Sequence, residues 1–367
     1  MDQFIKGMEL CEGFFRDCAK GIIEERFPGL PYSAGLIGYG SDVLGYDDPV
    51  STDHMWGPRF YLFLRKEDLA KKDAIFRALS ENLPCAYRGC SVNFTEPDPN
   101  DCGVQHPKWV ASGPVNPLVF IQTFEDYLAE QLGTSDLAHI GPLRWLAFSE
   151  HRLLSLVSGR FFVDGLDCAG KLAPIRYYPR DVKLYLIASN WRLIASEQAF
   201  VKRCGACGDE IGARIICERL CERLMRLCFL FQDTYAPYSK WFGTAFGRLD
   251  VDEKIKAAIH GALAAADPES REDRLVEAQA LVGALQNASS LAEFVNVEIK
   301  DYFGRDIRVV FAEKFAEAVE KELTGTAFAG VPPFGTLSQV GGIASFTDDL
   351  GCERQIMGLY TAEERGI

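Results

Sequence analysis

The sequence predicts an α+β fold in which a mixed sheet with helices comes first and a mostly helical bundle follows. Three observations carry this expectation. Short apolar runs bounded by Gly, Pro and Asp fall before residue 116, as strands ended by turns do. From Pro117 onward apolar residues recur every three or four positions, the spacing of an amphipathic helix. The last stretch, Thr324 to Ile367, holds Gly330, Pro332, Pro333, Gly335, Gly341 and Gly342 and predicts an irregular tail packed on the body. The expected domains are therefore 1–116, 117–323 and a tail at 324–367.

In chain order, residues 2–26 read as a helix, with Phe4, Ile5, Met8, Cys11, Phe15, Cys18 and Ile22 on one stripe until Pro28 ends it. Ser33 to Tyr39 reads as a short buried strand closed by Gly40-Ser41. Asp42 to Pro58 is rich in Gly, Asp and Pro and predicts a loop. Phe60 to Leu64 has strong strand character. Glu67 to Asn82 follows a helical pattern, and Arg88 to Glu96 reads as a third strand before the turn at Pro97 to Asp101. Helices are then expected over 120–132, 142–156, 181–201, 211–231, 254–265 and 273–285. No fixed-period repeat or low-complexity linker interrupts this order.

A chain of 367 residues, 48% hydrophobic and 25% charged, has the material for a large core and for two or three domains. Its 39 basic against 52 acidic side chains give a net charge of -13, which works against nonspecific binding to nucleic acid or to an anionic membrane. No apolar run approaches the length of a membrane span, and the start of the chain lacks a secretory pattern, so a soluble cytoplasmic protein is expected. Twelve cysteines are scattered through the chain, several among Leu and Ile, as reduced core residues are. Cys204 and Cys207 have metal or redox spacing, but no second pair or His couple follows.

The passage with most chemistry is Gly38-Tyr39-Gly40-Ser41, followed by Asp53-His54-Met55-Trp56-Gly57-Pro58-Arg59. Glycine lets backbone N–H groups approach a phosphate without a Cβ in the way, and the Ser41 hydroxyl supplies a further donor. Acids at alternate positions of an extended segment point to one side and can share a divalent metal. A strand ending in Gly-Ser and an acid leading into an apolar strand resemble the nucleotidyltransferase superfamily. Met55 stands at the second acidic position, and its thioether is a poor Mg²⁺ ligand. Glu96 is the nearest candidate for a third carboxylate, while Asp42, Asp47 and Asp48 either substitute for the missing acid or serve as solvated turn residues.

A longer resemblance rests on Tyr178-Pro179-Arg180-Asp181-Val182, Ala188-Ser189-Asn190-Trp191, Gly208-Asp209-Glu210-Ile211-Gly212 and the run from Tyr235 to Phe246. These segments, with Ser51 to His54 and Trp56 to Arg59, resemble a bacterial family designated as domain of unknown function 4037, over roughly residues 30 to 345. The family's usual residue at position 55 is Asp. The resemblance implies a nucleotidyltransferase-like domain joined to a helical domain, as in enzymes that adenylylate aminoglycosides. The implied activity is transfer of a nucleoside monophosphate from a nucleoside triphosphate to a small hydroxylated acceptor with Mg²⁺. Its implied roles are Asp53 as metal ligand and catalytic acid group, and Asp209 as general base or acceptor-binding acid. Gly40, Ser41, Arg59, Lys240 and Tyr238 are the nucleotide-binding candidates, with Arg59 and Lys240 as cations for the developing charge. The expected partners are a nucleotide and a small-molecule acceptor, with no nucleic acid and no membrane. Two other functions compete: a degenerate nucleotide-binding or regulatory protein, which Met55 favours, and a non-catalytic scaffold for another protein.

Overall fold

The computed structural model describes residues 4–52, 55–341 and 347–360. The fold is α+β, and the chain divides into two compact units: residues 1–139 with 152–176, and residues 140–151 with 177–367. This division departs from the expected boundary at 116/117. The reason is the sheet, because two strands beyond residue 116 complete it.

The first unit opens with α1 (Gly7–Phe14), which passes through a π turn at Phe15–Ala19 into α2 (Lys20–Arg26). Next come β1 (Tyr32–Leu36) and β2 (Arg59–Leu64), then α3 (Lys72–Asn82) after a 3-10 turn. The third strand expected over 88–96 is reduced to a ribbon of β3 (Ala86–Tyr87) and β4 (Cys90–Ser91). Arg88 and Gly89 both have positive φ there, as a tight hairpin turn demands. Leu118–Gln122 is β5, and its last three residues, 120–122, fall where the helix 120–132 was expected to begin. Helix α4 (Phe124–Leu132) starts only after Thr123, whose hydroxyl caps Asp126 N–H, and ends at the left-handed Gly133. α5 (Glu150–Val157), whose first two residues belong to the second unit, and β6 (Arg160–Asp164) follow, the latter also unforeseen.

The four strands lie in the order β5-β2-β1-β6, with β2 parallel to β5 and antiparallel to β1. β1 and β2 are buried along their whole length, which explains why β2 reads as the continuous apolar run Phe-Tyr-Leu-Phe-Leu and not as an alternation. The stripe expected on the first helix, including Met8, Cys11 and Phe15, packs with Phe60, Leu62 and Ile121 in one core.

In the second unit the long helices are α7 (Arg180–Glu197), α9 (Glu210–Phe231) and α12 (Pro268–Ser289). The short α6 (Cys168–Lys171) precedes them within the first unit. α8 (Phe200–Ala206), α10 (Ser239–Arg248), α11 (Glu253–Ala264) and α13 (Glu313–Glu322) fill in between. α9 packs on α7, α8, α11 and α12, and α7 packs on α13. Trp191 at the centre of α7 is fully buried, stacks on Phe315 and donates its indole N–H to Gln286 at 2.7 Å. The tail is less irregular than expected: Leu337–Gly341 and Leu350–Ile356 are helical, and Glu353 is buried in a 3.3 Å ion pair with Arg144. Among the described residues no helix is long and apolar enough to cross a membrane.

Candidate functional site

In the first unit, the turn after β1 is built by glycines in conformations that L residues resist, with φ of +88° at Gly38 and +118° at Gly40. A Cβ on Gly40 would collide with Asp42 Oδ1 and lie 2.6 Å from Arg59 Nη2, so the space over this glycine is already filled. Filling it is an ion pair. Arg59, the first residue of β2, donates Nη1 to Asp42 Oδ2 at 2.6 Å and Nη2 to Asp42 Oδ1 at 2.9 Å. Both side chains are 1% exposed. The guanidinium also faces the Tyr39 ring, 5.1 Å from its centroid, and donates to the Tyr39 carbonyl. Burial, the largest single effect, pulls the Arg59 pKa down, but Asp42, Tyr39 and Cys11 together outweigh it and leave the guanidinium more firmly protonated than a free arginine.

The remaining acids of this loop are also committed. Asp47 accepts the Gly7 N–H at 2.7 Å, at the start of α1 where a negative charge is favoured, and the Trp56 indole N–H at 3.3 Å. Asp48 is the turn residue of the three, accepting from Val50 and Ser51 N–H. Asp42 and Asp47 are thus buried structural anions, not solvated turn residues. Ser41 Oγ donates to the Ser51 carbonyl at 3.4 Å. Glu96 is exposed and, among the described residues, accepts a hydrogen bond from the Asn116 side-chain amide at 3.5 Å.

Asp53 and His54 lie outside the described residues. Met55 is described, and its φ of +49° is left-handed, so the chain is not extended there and β2 begins only at Arg59. Among the described residues no three His, Cys, Asp or Glu side chains group where they would hold a metal ion. Arg59 takes both Asp42 oxygens, the Gly7 and Trp56 N–H groups take Asp47 Oδ2, and the Lys6 ammonium stands 3.4 Å from Asp47 Oδ1, a set that does not fit a Mg²⁺ ion.

In the second unit a cavity of about 370 Å³ opens beside α9. Glu218, Cys221, Glu222 and Met225 recur at three- and four-residue steps and bring one face of α9 to it. Glu150 and His151 come from the start of α5, Tyr238, Ser239 and Phe242 from α10 and its approach, and Leu263 from α11. Arg226 links two acids, donating Nε to Glu222 at 2.9 Å and Nη1 to Glu150 at 3.4 Å, while stacking on Phe242. Glu150 also accepts the Ala236 N–H at 3.0 Å. Burial pushes its carboxyl above the usual range against the opposing pull of Arg226 and that N–H. The rings of His151 and Tyr238 lie 4.7 Å apart.

Gly40, Ser41 and Arg59 therefore belong to the first unit, and Asp209, Tyr238 and Lys240 to the second. Tyr238 lines the cavity. Lys240 is exposed, with its ammonium 5.1 Å from the Trp241 ring centroid. Asp209 is the exposed N-cap of α9 and accepts the Gly212 N–H at 2.8 Å. Sequence reading missed Asp42 as the partner of Arg59, and missed Glu150, His151 and Arg226 at the cavity. On α9, Arg214 and Arg219 make surface ion pairs, whereas Arg226 is buried. The i,i+4 spacing of Glu222 and Arg226 within an apolar stretch was the available signal.

Residues 145–242 match the family described as a domain of unknown function (DUF4037). The match is narrower than the span of 30 to 345 expected from the resemblance, and it covers most of the residues that line the cavity. No curated protein and no solved structure matches the chain.

Proposed function

We propose that this chain is a small-molecule-binding protein whose first unit is a nucleotidyltransferase-like unit with a closed nucleotide side, so that it acts as a sensing or regulatory module. The observation that carries this reading is the Asp42 carboxylate, which holds Arg59 over Gly40, where a phosphate would have to lie. An internal anion satisfies the cation that a triphosphate would need, and removing it would strand a buried guanidinium. Met55 in place of an acid supports the same conclusion.

The second reading is transfer of a nucleoside monophosphate from a nucleoside triphosphate to a small hydroxylated acceptor with Mg²⁺. It is favoured by the glycine turn that follows β1 and by Asp53 between that turn and β2. The test is incubation of the full chain with each of the four triphosphates and Mg²⁺, reading pyrophosphate release and thermal shift. The first reading expects neither. Pyrophosphate release that rises with an added polyhydroxylated acceptor overturns it in favour of the second.

A further inference from the structure

We infer that the cavity beside α9 is a binding site for a small ring compound bearing a protonated amine. This goes beyond the proposed function, because it names a ligand class and does not depend on whether the first unit takes a nucleotide. The cavity has the size of a small-molecule site and combines an apolar wall with a few convergent polar groups.

Charge sets the first half of the ligand. Three carboxylates, Glu150, Glu218 and Glu222, face one guanidinium, Arg226. Arg226 is shared between Glu150 and Glu222, and Glu218 makes no ion pair among the described residues. Glu218 and Glu222 are one helical turn apart on the same face of α9, so their like charges repel; Arg226 already stands against Glu222, and the exposed Glu218 is the carboxylate left without an ion-pair partner among the described residues. A carboxylate or phosphate ligand would add to this repulsion, whereas an ammonium relieves it.

The apolar wall sets the second half. Met225, Phe242 and Leu263 line the cavity together with the Tyr238 ring. Leu263 is 46% exposed, and a bound ring would cover part of its apolar surface. A flat ring against Phe242 and Tyr238 would gain contact area and set its amine toward Glu218 and Glu222.

The experiment uses the full chain and four probes read by ligand-observed NMR and thermal shift. Phenethylammonium carries both features, 2-phenylethanol only the ring, ethylammonium only the charge, and 3-phenylpropionate the opposite charge. Phenethylammonium is expected to bind at least tenfold more tightly than each of the others. Glu218→Gln combined with Glu222→Gln is expected to lower its affinity about tenfold, and Phe242→Ala by a similar factor. Because Glu218→Gln alone removes a like-charge neighbour, it leaves the fold intact and keeps the test valid if the double variant unfolds; it should weaken binding severalfold. Equal binding of the alcohol or the carboxylate, or undiminished binding of phenethylammonium to the Gln variants, overturns the inference. Triphosphate binding by the wild-type chain would overturn the closed nucleotide side without touching this result.

Discussion

Arg59 and Asp42, 17 residues apart, form a two-point ion pair with both side chains 1% exposed. A buried guanidinium that loses its partner is left uncompensated in a low-dielectric interior. Asp42→Ala is therefore expected to lower stability by about 3–5 kcal/mol. Replacing both residues, Asp42→Leu with Arg59→Met, removes the charge along with its partner and should cost much less. Urea unfolding of the three proteins checks this, and equal losses in the single and double variants would contradict it.

Gly40 is the hinge of the same arrangement. Alanine there must hold φ near +118° and drive its Cβ into the ion pair, whereas Gly45, at φ +71°, has open space around it. Gly45→Ala is expected to cost about 1 kcal/mol from backbone strain alone, and Gly40→Ala about 1–3 kcal/mol more. Urea midpoints of the two variants give the comparison. A Gly40→Ala protein as stable as Gly45→Ala would mean that the turn is not packed against Asp42.

Glu150 gives the fold a pH dependence of known sign. Burial raises its carboxyl above its ordinary 4.5, with Arg226 and the Ala236 N–H opposing. As pH rises through the unfolded value, the unfolded chain loses this proton first while the folded chain still holds it. The folded state then binds more protons, and stability falls with pH across that window. Glu150→Gln cannot titrate, so the stability of wild type minus that of the variant should fall as pH rises above the ordinary carboxyl value of 4.5. Unfolding of both proteins across this range is the check; a difference that rises with pH would contradict the assignment.

Local pattern made much of the fold legible. The apolar stripe of the first helix, the run Phe60 to Leu64 and the helix at 210–231 depend on spacing within one element, and each was read with small boundary errors. Strand β5 was misread because Leu118-Val119-Phe120-Ile121 is too short to separate strand from helix by periodicity. What makes it a strand is pairing with β2, whose residues come some sixty positions earlier. The same nonlocality hid the candidate sites. Asp42 read as a turn acid because nothing in the loop announces that it meets Arg59. The cavity draws Glu150, α9, α10 and Leu263 from four separate stretches, and of the expected site residues that are described only Tyr238 lines it.

We propose that Asp42 occupies the cation a nucleotide would need. Calorimetric titration of ATP with Mg²⁺ into the wild-type chain and into Asp42→Asn separates the two possibilities. Wild type is expected not to bind, and the variant to bind measurably once the carboxylate charge is gone. Wild-type protein that binds ATP as tightly as the variant would show that Asp42 does not close this site.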